Sequence, residues 1–490
     1  MSPPAVWPWG SAGEQLRALH AREVSAVELL GATLARIDRL HARLNAIVVR
    51  DDERAFEAAR AADAARARGD ARALLGLPMT VKESLAVAGL PTTMGDPAQA
   101  ANLAATDAEV VQRLRRAGAV IAGKSNVPLA NGDIQTDNAL YGLTRNPWDG
   151  TRTPGGSSGG GAAAVAAGCI ALEMGSDIGG SLRIPAHFCG VSALKPTWGL
   201  IDDRGNGLPG TRLAARDIAC LGPIARSAAD LELALDAAAG PRAEDSIAWR
   251  LALPASRAQR LREFRILLLD EHPLLEASAA TQALDRHLRE SLARAGARWL
   301  RAGELAPGTL PDLAELHDVY QQLVIGSTLG TRAASFEDEA RAAIARLDAD
   351  DRSYAATRVR AGLLTHRQWL LADEARLRMR RQWARVFEAV DIVLMPTSVS
   401  PAFAHDASQP RDARVVEVGT QAYCYLELFV WIGIASLCGL PAASFPVLRW
   451  QGLPLGAQAM ASWLGDRTAI AFAQAWEAEV GGFVAPPGWD

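Results

Sequence analysis

The pattern of apolar and polar positions predicts helices in the first part of the chain and a buried strand after them. Residues 14 to 44 repeat apolar side chains at the spacing of an amphipathic helix, with a capping-box pattern at Ser25. Residues 51 to 68 predict a second, alanine-rich helix with a charged outer face. The apolar run of residues 74 to 81 then predicts a buried strand, and Lys82 stands at its end.

A helix over residues 107 to 116 and an apolar strand over residues 119 to 122 come next. Residues 118 to 125, GAVIAGKS, also match the phosphate-binding loop of nucleotide-binding proteins. That site needs an open loop between a strand and a helix, whereas here the variable positions are the strand itself and Pro128 follows Lys124 closely. We therefore expect no nucleotide site.

The second half of the chain changes character twice. Residues 240 to 390 are rich in arginine and glutamate and mostly helical, and strands return from residue 391. Residues 428 to 448 are 21 positions without a charge, which is long enough to span a membrane. Glycines and prolines interrupt this stretch, so we expect a buried helix followed by a core strand and no stable membrane insertion.

Composition is that of an ordinary globular protein. The 490 residues are 49% hydrophobic and 22% charged with a net charge of −4, and no basic block suggests a nucleic acid partner. The five scattered cysteines favour reduced thiols over disulfides or a zinc site. The amino terminus has neither a charged region nor an apolar region of a signal peptide, so we expect a cytoplasmic protein.

Lysine is rare, and this draws attention to the few that are present. Only Lys82, Lys124 and Lys195 occur among the 51 basic residues. An ammonium can lose its proton and a guanidinium cannot, which is a chemical reason to retain a lysine. Burial at a strand end would lower the pKa of Lys82, and a base working near neutral pH needs a fall of about three units. The alternative is a lysine whose ammonium reaches the surface from the strand end.

Two glycine-flanked serine loops lie close together in the sequence. Residues 155 to 161, GGSSGGG, surround Ser157, and a turn at residues 176 to 181 ends on Ser181. A predicted helix at 162 to 167 and a predicted short strand at 170 to 175 join them. This compact connection would let the two serines meet, although they are 24 positions apart.

Other interpretations of these loops fit less well. A flexible linker would not run directly into apolar, helix-forming sequence. The GxSxG pattern around Ser157 is that of a nucleophile elbow, which needs a preceding strand, but residues 146 to 154 are turn-like. The SxxK of residues 192 to 195 lacks the SDN element that accompanies it in penicillin-binding enzymes. His187, six residues after Ser181, would point away from it on a helix and is expected in the core or at its rim.

The motifs together resemble the amidase signature family of Ser-Ser-Lys hydrolases. GLPMTVKES, TPGGSSGGG and GSDIGGSLRIPAHFCG occur in the family's order and with much the same separations, and the resemblance extends to GKSNVPLA, NPWDGTRTP, LKPTWG and GLPLGAQ. It spans nearly the whole chain, least clearly between residues 240 and 390. The sequence departs from the family pattern at Glu83, where aspartate is commoner, at Gly161, where glutamate is common, and at 192 and 193. We expect Glu83 to face away from Lys82.

The resemblance implies a role for each residue of the loops. Ser181 would be the nucleophile, Ser157 the bridging serine after a cis peptide, and Lys82 the base. The backbone N–H groups of Ile178, Gly179, Gly180 and Ser181 would form the oxyanion hole. Supporting residues would be Ser158, Asp177 and Arg183, the last two also being candidates for an ordinary ion pair. Asn131 occupies a position similar to one that lines the acyl pocket in family members.

The resemblance also implies an α/β/α sandwich with a large mixed β-sheet, in a single domain of residues 1–490. Within it, residues 70–225 would carry the catalytic motifs, residues 240–390 would cover the substrate pocket, and residues 391–490 would return to the sheet. The implied activity is hydrolysis of a small carboxamide through an acyl-serine, without metal or cofactor. A homodimer is compatible with this interpretation. Alternatives are the glutamine-hydrolysing component of a tRNA-dependent amidotransferase, which Ile184 disfavours because glutamine is usual there, and a catalytically idle scaffold.

Overall fold

An eleven-stranded mixed sheet runs through the computed structural model, which describes residues 7–208, 213–329, 334–348, 350, 351 and 353–489. The strands in chain order are β1 Ile47–Val49, β2 Pro78–Lys82, β3 Val120–Ser125, β4 Leu172–Asp177, β5 Ser192–Lys195, β6 Cys220–Ala225, β7 Arg265–Leu268, β8 Arg298–Arg301, β9 Ile392–Pro396, β10 Val415–Val418, β11 Gln421–Cys424, β12 Ala442–Trp450 and β13 Leu453–Met460. Strands β10 and β11 form a separate hairpin, and the large sheet has the order β1-β3-β2-β4-β6-β5-β12-β13-β9-β7-β8.

Helices accompany the sheet along the chain. They are α1 Ala12–His20, α2 Ala26–Leu44, α3 Asp52–Ala67, α4 Glu109–Arg116, α5 Gly159–Ala166, α6 Arg183–Cys189, α7 Ala228–Ala238, α8 Ala279–Arg294, α9 Leu313–Leu329, α10 Ala334–Ile344, α11 Tyr354–Gly362, α12 His366–Ala389, α13 Val430–Leu437 and α14 Asp466–Glu479. Parallel pairing of β2 with β3 and β4, and antiparallel pairing of β4 with β6, make the sheet mixed. The predicted α/β class with a large mixed sheet is therefore confirmed.

The predicted helix of residues 14 to 44 is two helices. Ser25 caps α2 with its hydroxyl accepting from the N–H of Glu28, as the capping-box pattern predicts, and residues 21–25 separate α2 from α1. Ser11 caps α1, whose first N–H groups also donate to the buried carboxylate of Asp230 on α7. The break is set by these tertiary contacts and by the cap, while the apolar spacing continues through it.

The order of the central strands brings the sequence motifs to one edge of the sheet. Because β2, β3 and β4 are parallel, their carboxyl ends lie side by side, and β2 ends at Lys82 while β4 ends at Asp177. The loop after β4 continues into α6, and α5 packs on β2, β3 and β4. Lys82 and the two serine loops thus reach the same end of the sheet.

One predicted region differs in detail from the structure. Residues 240 to 390 hold α8 to α12, but they also contribute β7 and β8 to the sheet. Pro185 lies in the first turn of α6, where a missing N–H costs little, so the segment around His187 is helical. The uncharged stretch folds as α13 followed by β12, as predicted. Among the described helices, none has the length and apolar character needed to cross a membrane.

Candidate active site

Lys82 lies between the two serine loops and contacts a serine of each. Its Nζ is 2.6 Å from Oγ of Ser157 and 2.9 Å from Oγ of Ser176. The side chain is fully buried at the end of β2. A surface-reaching ammonium, the alternative weighed from the sequence, is excluded by this burial.

Burial lowers the pKa of Lys82 from its usual 10.5 to about 7. The carboxylates of Asp177 and Glu173 oppose the fall, and the guanidinium of Arg216 adds to it. A lysine with this pKa is partly neutral at pH 7 and can accept a proton there. The fall matches the one that a base at this position requires.

The Ser157 turn is compact because glycines surround it. The Gly156–Ser157 peptide is cis, as the resemblance implies, and Gly155 has a φ of 88° with Pro185 packed against the space where a Cβ would be. The next residue, Ser158, donates its N–H to the carbonyl oxygen of Ser181 at 3.1 Å. The turn and the Ser181 loop are therefore joined directly through the backbone.

The Ser181 loop offers unpaired backbone donors. The N–H groups of Ile178, Gly179 and Ser181 have no acceptor among the described residues. The fourth predicted donor, Gly180, instead gives its N–H to the carboxylate of Asp177 at 2.9 Å. Gly180 has a φ of 85°, a left-handed conformation that glycine adopts without strain. Of the four predicted donors, the N–H groups of Ile178, Gly179 and Ser181 are therefore without an acceptor in the described part of the chain.

The hydroxyl of Ser181 makes no hydrogen bond to any residue that the structure describes, and Ser181 lines the adjoining cavity. Ser181 and Ser157, which the sequence predicts to meet, thus do not hydrogen bond to each other in this state. Such catalytic contacts often tighten only when substrate is bound. Ser181 is 7% exposed, which leaves it reachable from the cavity.

Asp177 and Arg183 form an ion pair beneath the loop. Their closest atoms are 3.1 Å apart, and both side chains are completely buried. Burial acts to raise the pKa of Asp177, but the charge and hydrogen bonds of Arg183, together with the charge of Lys195 and the N–H of Gly180, leave that pKa lowered. Arg183 also donates to the carbonyl of Ile432, to Gln458 and to Ser436. The pair connects the Ser181 loop to α13 and β13.

A cavity of about 870 Å³ opens onto both serines. It is lined by apolar and aromatic side chains together with a few polar groups, among them Met94, Leu129, Asn131, Ile134, Arg216, Tyr320, Gln321, Val324, Tyr354 and Phe429. The predicted pocket residue Asn131 is one of these, and its Oδ1 is buried without a partner in the described part of the chain. A volume of this size suits a small organic molecule.

The remaining sequence candidates have structural roles. Glu83 accepts hydrogen bonds from the N–H groups of Thr93 and Met94, facing away from Lys82 as expected. His187 is buried, with Nδ1 accepting from the N–H of Gly456 at 2.8 Å, and is a core residue. Lys124, part of the apparent phosphate loop, donates to Thr92 at 2.9 Å in the interior.

Sequence reasoning did not identify Ser176 or Glu173. Ser176 contacts Lys82 directly, and no motif marks it apart from its position beside Asp177. Glu173 is fully buried near Lys82, and the signal for it was present as a carboxylate between the apolar residues Leu172 and Met174 of strand β4. Among the described residues, no group of three metal-ligating side chains is present. The five cysteines are all free, and Cys424 is the exposed one.

Comparison with known proteins adds independent information. The family model named Amidase matches residues 28–470. Indoleacetamide hydrolase of Bradyrhizobium diazoefficiens is 33% identical over 462 residues, which cover 92% of this chain and 83% of that protein. The A component of the glutamyl-tRNA(Gln) amidotransferase of Moorella thermoacetica is 32% identical over 491 residues, 94% of each chain.

Solved structures show the same fold. A chain from an inhibitor-bound vestigial complex, which reveals the origins of an s-triazine catabolic enzyme, aligns with a TM-score of 0.80 and 28% identity over 96% of this chain and 99% of its own. A bacterial aryl acylamidase aligns with a TM-score of 0.80 and 23% identity, covering 98% and 99% of the two chains, which concerns the fold alone. With a family match over residues 28–470 and relatives that align along nearly its entire length, this chain belongs to the amidase signature family of amide-hydrolysing enzymes.

Proposed function

We propose that the protein hydrolyses a small carboxamide through an acyl-enzyme on Ser181, with Ser157 passing the proton to Lys82. The observation that carries this proposal is the 2.6 Å contact between the Nζ of Lys82, buried beyond reach of water, and Oγ of Ser157. A neutral amine in that position is a base for a hydroxyl. The mechanism needs no metal and no cofactor.

Acylation begins with two proton transfers. Neutral Lys82 takes the proton of the Ser157 hydroxyl, and Ser157 takes the proton of the Ser181 hydroxyl as Oγ of Ser181 attacks the carbonyl carbon of the amide. The N–H groups of Ile178, Gly179 and Ser181 stabilise the oxyanion that forms, and each such donor typically contributes about 3 kcal/mol. The ammonium of Lys82 then returns a proton through Ser157 to the nitrogen, and the C–N bond breaks.

Deacylation uses the same groups in the same order. Water gives a proton through Ser157 to Lys82 and attacks the acyl carbon, and the returning proton restores the hydroxyl of Ser181 as the carboxylic acid leaves. Substrate must close the gap between the serine hydroxyls, which do not hydrogen bond to each other in this state. A carbonyl seated among the three free N–H groups would draw Oγ of Ser181 toward the turn that carries Ser157.

The shape of the cavity supports a partly aromatic substrate. Tyr320 and Phe429 lie against Gly179, close to where the carbonyl would bind, and a Cβ at Gly179 would be 3.2 Å from the ring of Phe429. The relative from Bradyrhizobium diazoefficiens is named for indoleacetamide. We therefore place arylacetamides first among the candidate substrates.

A release assay on the isolated chain tests the proposal. The chain is incubated with indole-3-acetamide, phenylacetamide and aliphatic amides, and ammonia and carboxylate are measured, with hydroxylamine added in parallel to trap the acyl group as a hydroxamate. We expect release and trapping by the wild type and by Ser192→Ala, a buried serine on β5, and neither by Ser181→Ala. Absence of both products with every amide would contradict the proposal.

Glutamine hydrolysis as one component of an amidotransferase is the second candidate. It is favoured by the 94% coverage of both chains in the alignment with the Moorella thermoacetica protein. Such a component would show little hydrolysis alone and would gain activity toward glutamine when its partner proteins are supplied. Efficient turnover of a simple amide by the isolated chain would decide against it.

The proposal extends to the domain organisation of the chain. We propose that residues 1–490 act as one domain, because strands from before residue 225, from 265 to 301 and from after 391 share the large sheet. A homodimer and a cytoplasmic location stay predictions of the sequence. Light scattering coupled to size exclusion tests the first, since the chain has a mass of 51.9 kDa.

A further inference from the structure

Glu173 is a buried carboxylate one strand away from the proposed base. It lies on β4 opposite Thr80 of β2, and strand alternation places Thr80 on the same face of β2 as Lys82. Its Oε1 accepts from the hydroxyl of Ser125 at 2.6 Å, and its Oε2 accepts from the hydroxyl of Thr80. Both carboxylate oxygens therefore have a hydroxyl donor in a site without exposure to solvent.

The carboxylate also fills space beside the helix that follows Ser157. Gly161 is in the first turn of α5, and a Cβ there would lie 2.5 Å from Cγ and 2.7 Å from Cδ of Glu173. The three atoms nearest to that Cβ all belong to Glu173. The side chain of Glu173 thus occupies the volume that the glycine leaves empty, and it supports the turn that carries Ser157.

Few other charges face this region. Lys82 is near Asp177, Glu173 and Arg216, and Asp177 is already paired with Arg183. Helix α5, which packs on the three strands, has the sequence GGGAAAVA and carries no charge. On β3 the ammonium of Lys124 points elsewhere, to Thr92. Burial raises the pKa of Glu173 to about 7, while the hydroxyls of Ser125 and Thr80 and the charge of Lys82 act to lower it.

We propose that Glu173 is a positioning residue for the catalytic base, its carboxylate setting the proton affinity of Lys82 across the strand pair and its packing against Gly161 holding the Ser157 turn in place. This inference rests on the proposed function, since it assigns to Lys82 the role of base. Glu173 itself touches neither of the proposed reacting serines. Its influence on the reaction passes through Lys82 and through α5.

The charge-neutral variant Glu173→Gln isolates the electrostatic part. It keeps the size and a hydrogen-bonding oxygen but removes the negative charge, so the ammonium of Lys82 loses a stabilising neighbour and gives up its proton more easily. We expect the acid limb of kcat/KM against pH to move about one unit lower, the size typical of one nearby opposite charge. A purely structural role would change stability and leave the limb in place.

Titration of Lys82 by NMR gives the same quantity without any substrate. The chain has only three lysines, so ¹³C-lysine labelling yields three resonances that single lysine-to-methionine variants assign. We expect the midpoint for Lys82 to fall in Glu173→Gln and to stay in place in Asp230→Asn, another buried carboxylate, which binds the start of α1 instead. If the wild type hydrolyses no amide, the proposed function fails, and this titration still decides the electrostatic role of Glu173.

Placing a glutamate at position 161 instead of 173 tests whether the two positions share one volume beside Lys82. Gly161→Glu alone should be destabilised by the overlap with Glu173, whereas Gly161→Glu combined with Glu173→Ala removes the overlap and restores a carboxylate near Lys82. We expect the double variant to recover at least half of the shift seen in Glu173→Ala, in a protein of near wild-type Tm. If Glu173→Gln does not fold, the comparison of Glu173→Ala with the double variant tests the proposal in its place. An unmoved limb and an unmoved Lys82 midpoint in the variants without Glu173, or a double variant no better than Glu173→Ala, would overturn the proposal.

Discussion

Replacing Lys82 by methionine should make the protein more stable at neutral pH while removing its activity. Burial lowers the pKa of Lys82 from 10.5 to about 7. Between these values the unfolded chain holds a proton on this side chain that the folded chain does not, so the free energy of unfolding rises with pH in that interval. The cost of burying Lys82 is therefore complete below pH 7 and disappears above 10.5.

The size of the effect follows from the same interval. The pKa values of Lys82 in the unfolded and folded chain differ by about 3.5 units, which corresponds to a loss of about 5 kcal/mol in the free energy of unfolding below pH 7. The variant also loses the hydrogen bonds to Ser157 and Ser176, each contributing about 1 kcal/mol. We thus expect Lys82→Met to be more stable than the wild type by about 3 kcal/mol at pH 6.5, and the advantage to shrink by about 1.4 kcal/mol for each pH unit above 7.

Denaturant unfolding of both proteins at pH 6.5, 7.5, 8.5 and 9 measures this difference, with the m-value checked for constancy. Lys124→Met is the matched control, because burial lowers the pKa of Lys124 only to about 8. The difference in the free energy of unfolding between Lys124→Met and the wild type should therefore stay constant up to that pH. An advantage of Lys82→Met that does not change with pH, or a loss of stability at pH 6.5, would refute the reasoning.

Three further outcomes follow from the site. The acid limb of kcat/KM for the wild type should fall near pH 7, where burial places the pKa of Lys82, and a limb below pH 5 would argue against a lysine base. Gly180→Ala should lower kcat about 10²-fold in steady-state assays, because φ is 85° there and a Cβ would lie 2.9 Å from Ile184; unchanged kcat would mean that the loop adapts. Arg183→Met should cost about 3 to 5 kcal/mol in denaturant unfolding by leaving Asp177 unpaired in the interior, and a neutral effect would show that the pair is dispensable.

The motifs and their supporting strands could be predicted from the sequence because local signals agreed there. The apolar run ending at Lys82, the helix-forming alanines after Gly161 and the glycines around Ser157 each indicate the element that the structure contains. The resemblance then gave the order in which these elements meet. The fold class followed from the same agreement.

What the sequence did not reveal depends on contacts between distant residues. Strand β8 lies at the sheet edge with its ends exposed, so it lacks the apolar run that marks a buried strand. One exception is local, because the N–H of Gly180 is taken by Asp177 three residues before it, whereas the resemblance implied this N–H as an oxyanion donor. Glu173 became meaningful only when the structure placed it beside Lys82 and against Gly161.

Identification of the labelled serine is the most direct test of the account. Wild type, Ser181→Ala and Lys82→Ala are exposed to a serine-directed fluorophosphonate, the intact masses are compared, and the adduct is located by peptide mapping. We predict a single adduct on Ser181, absent in Ser181→Ala and formed much more slowly in Lys82→Ala. An adduct on Ser157, or labelling that persists in folded Ser181→Ala, would contradict the assignment of Ser181 as the nucleophile.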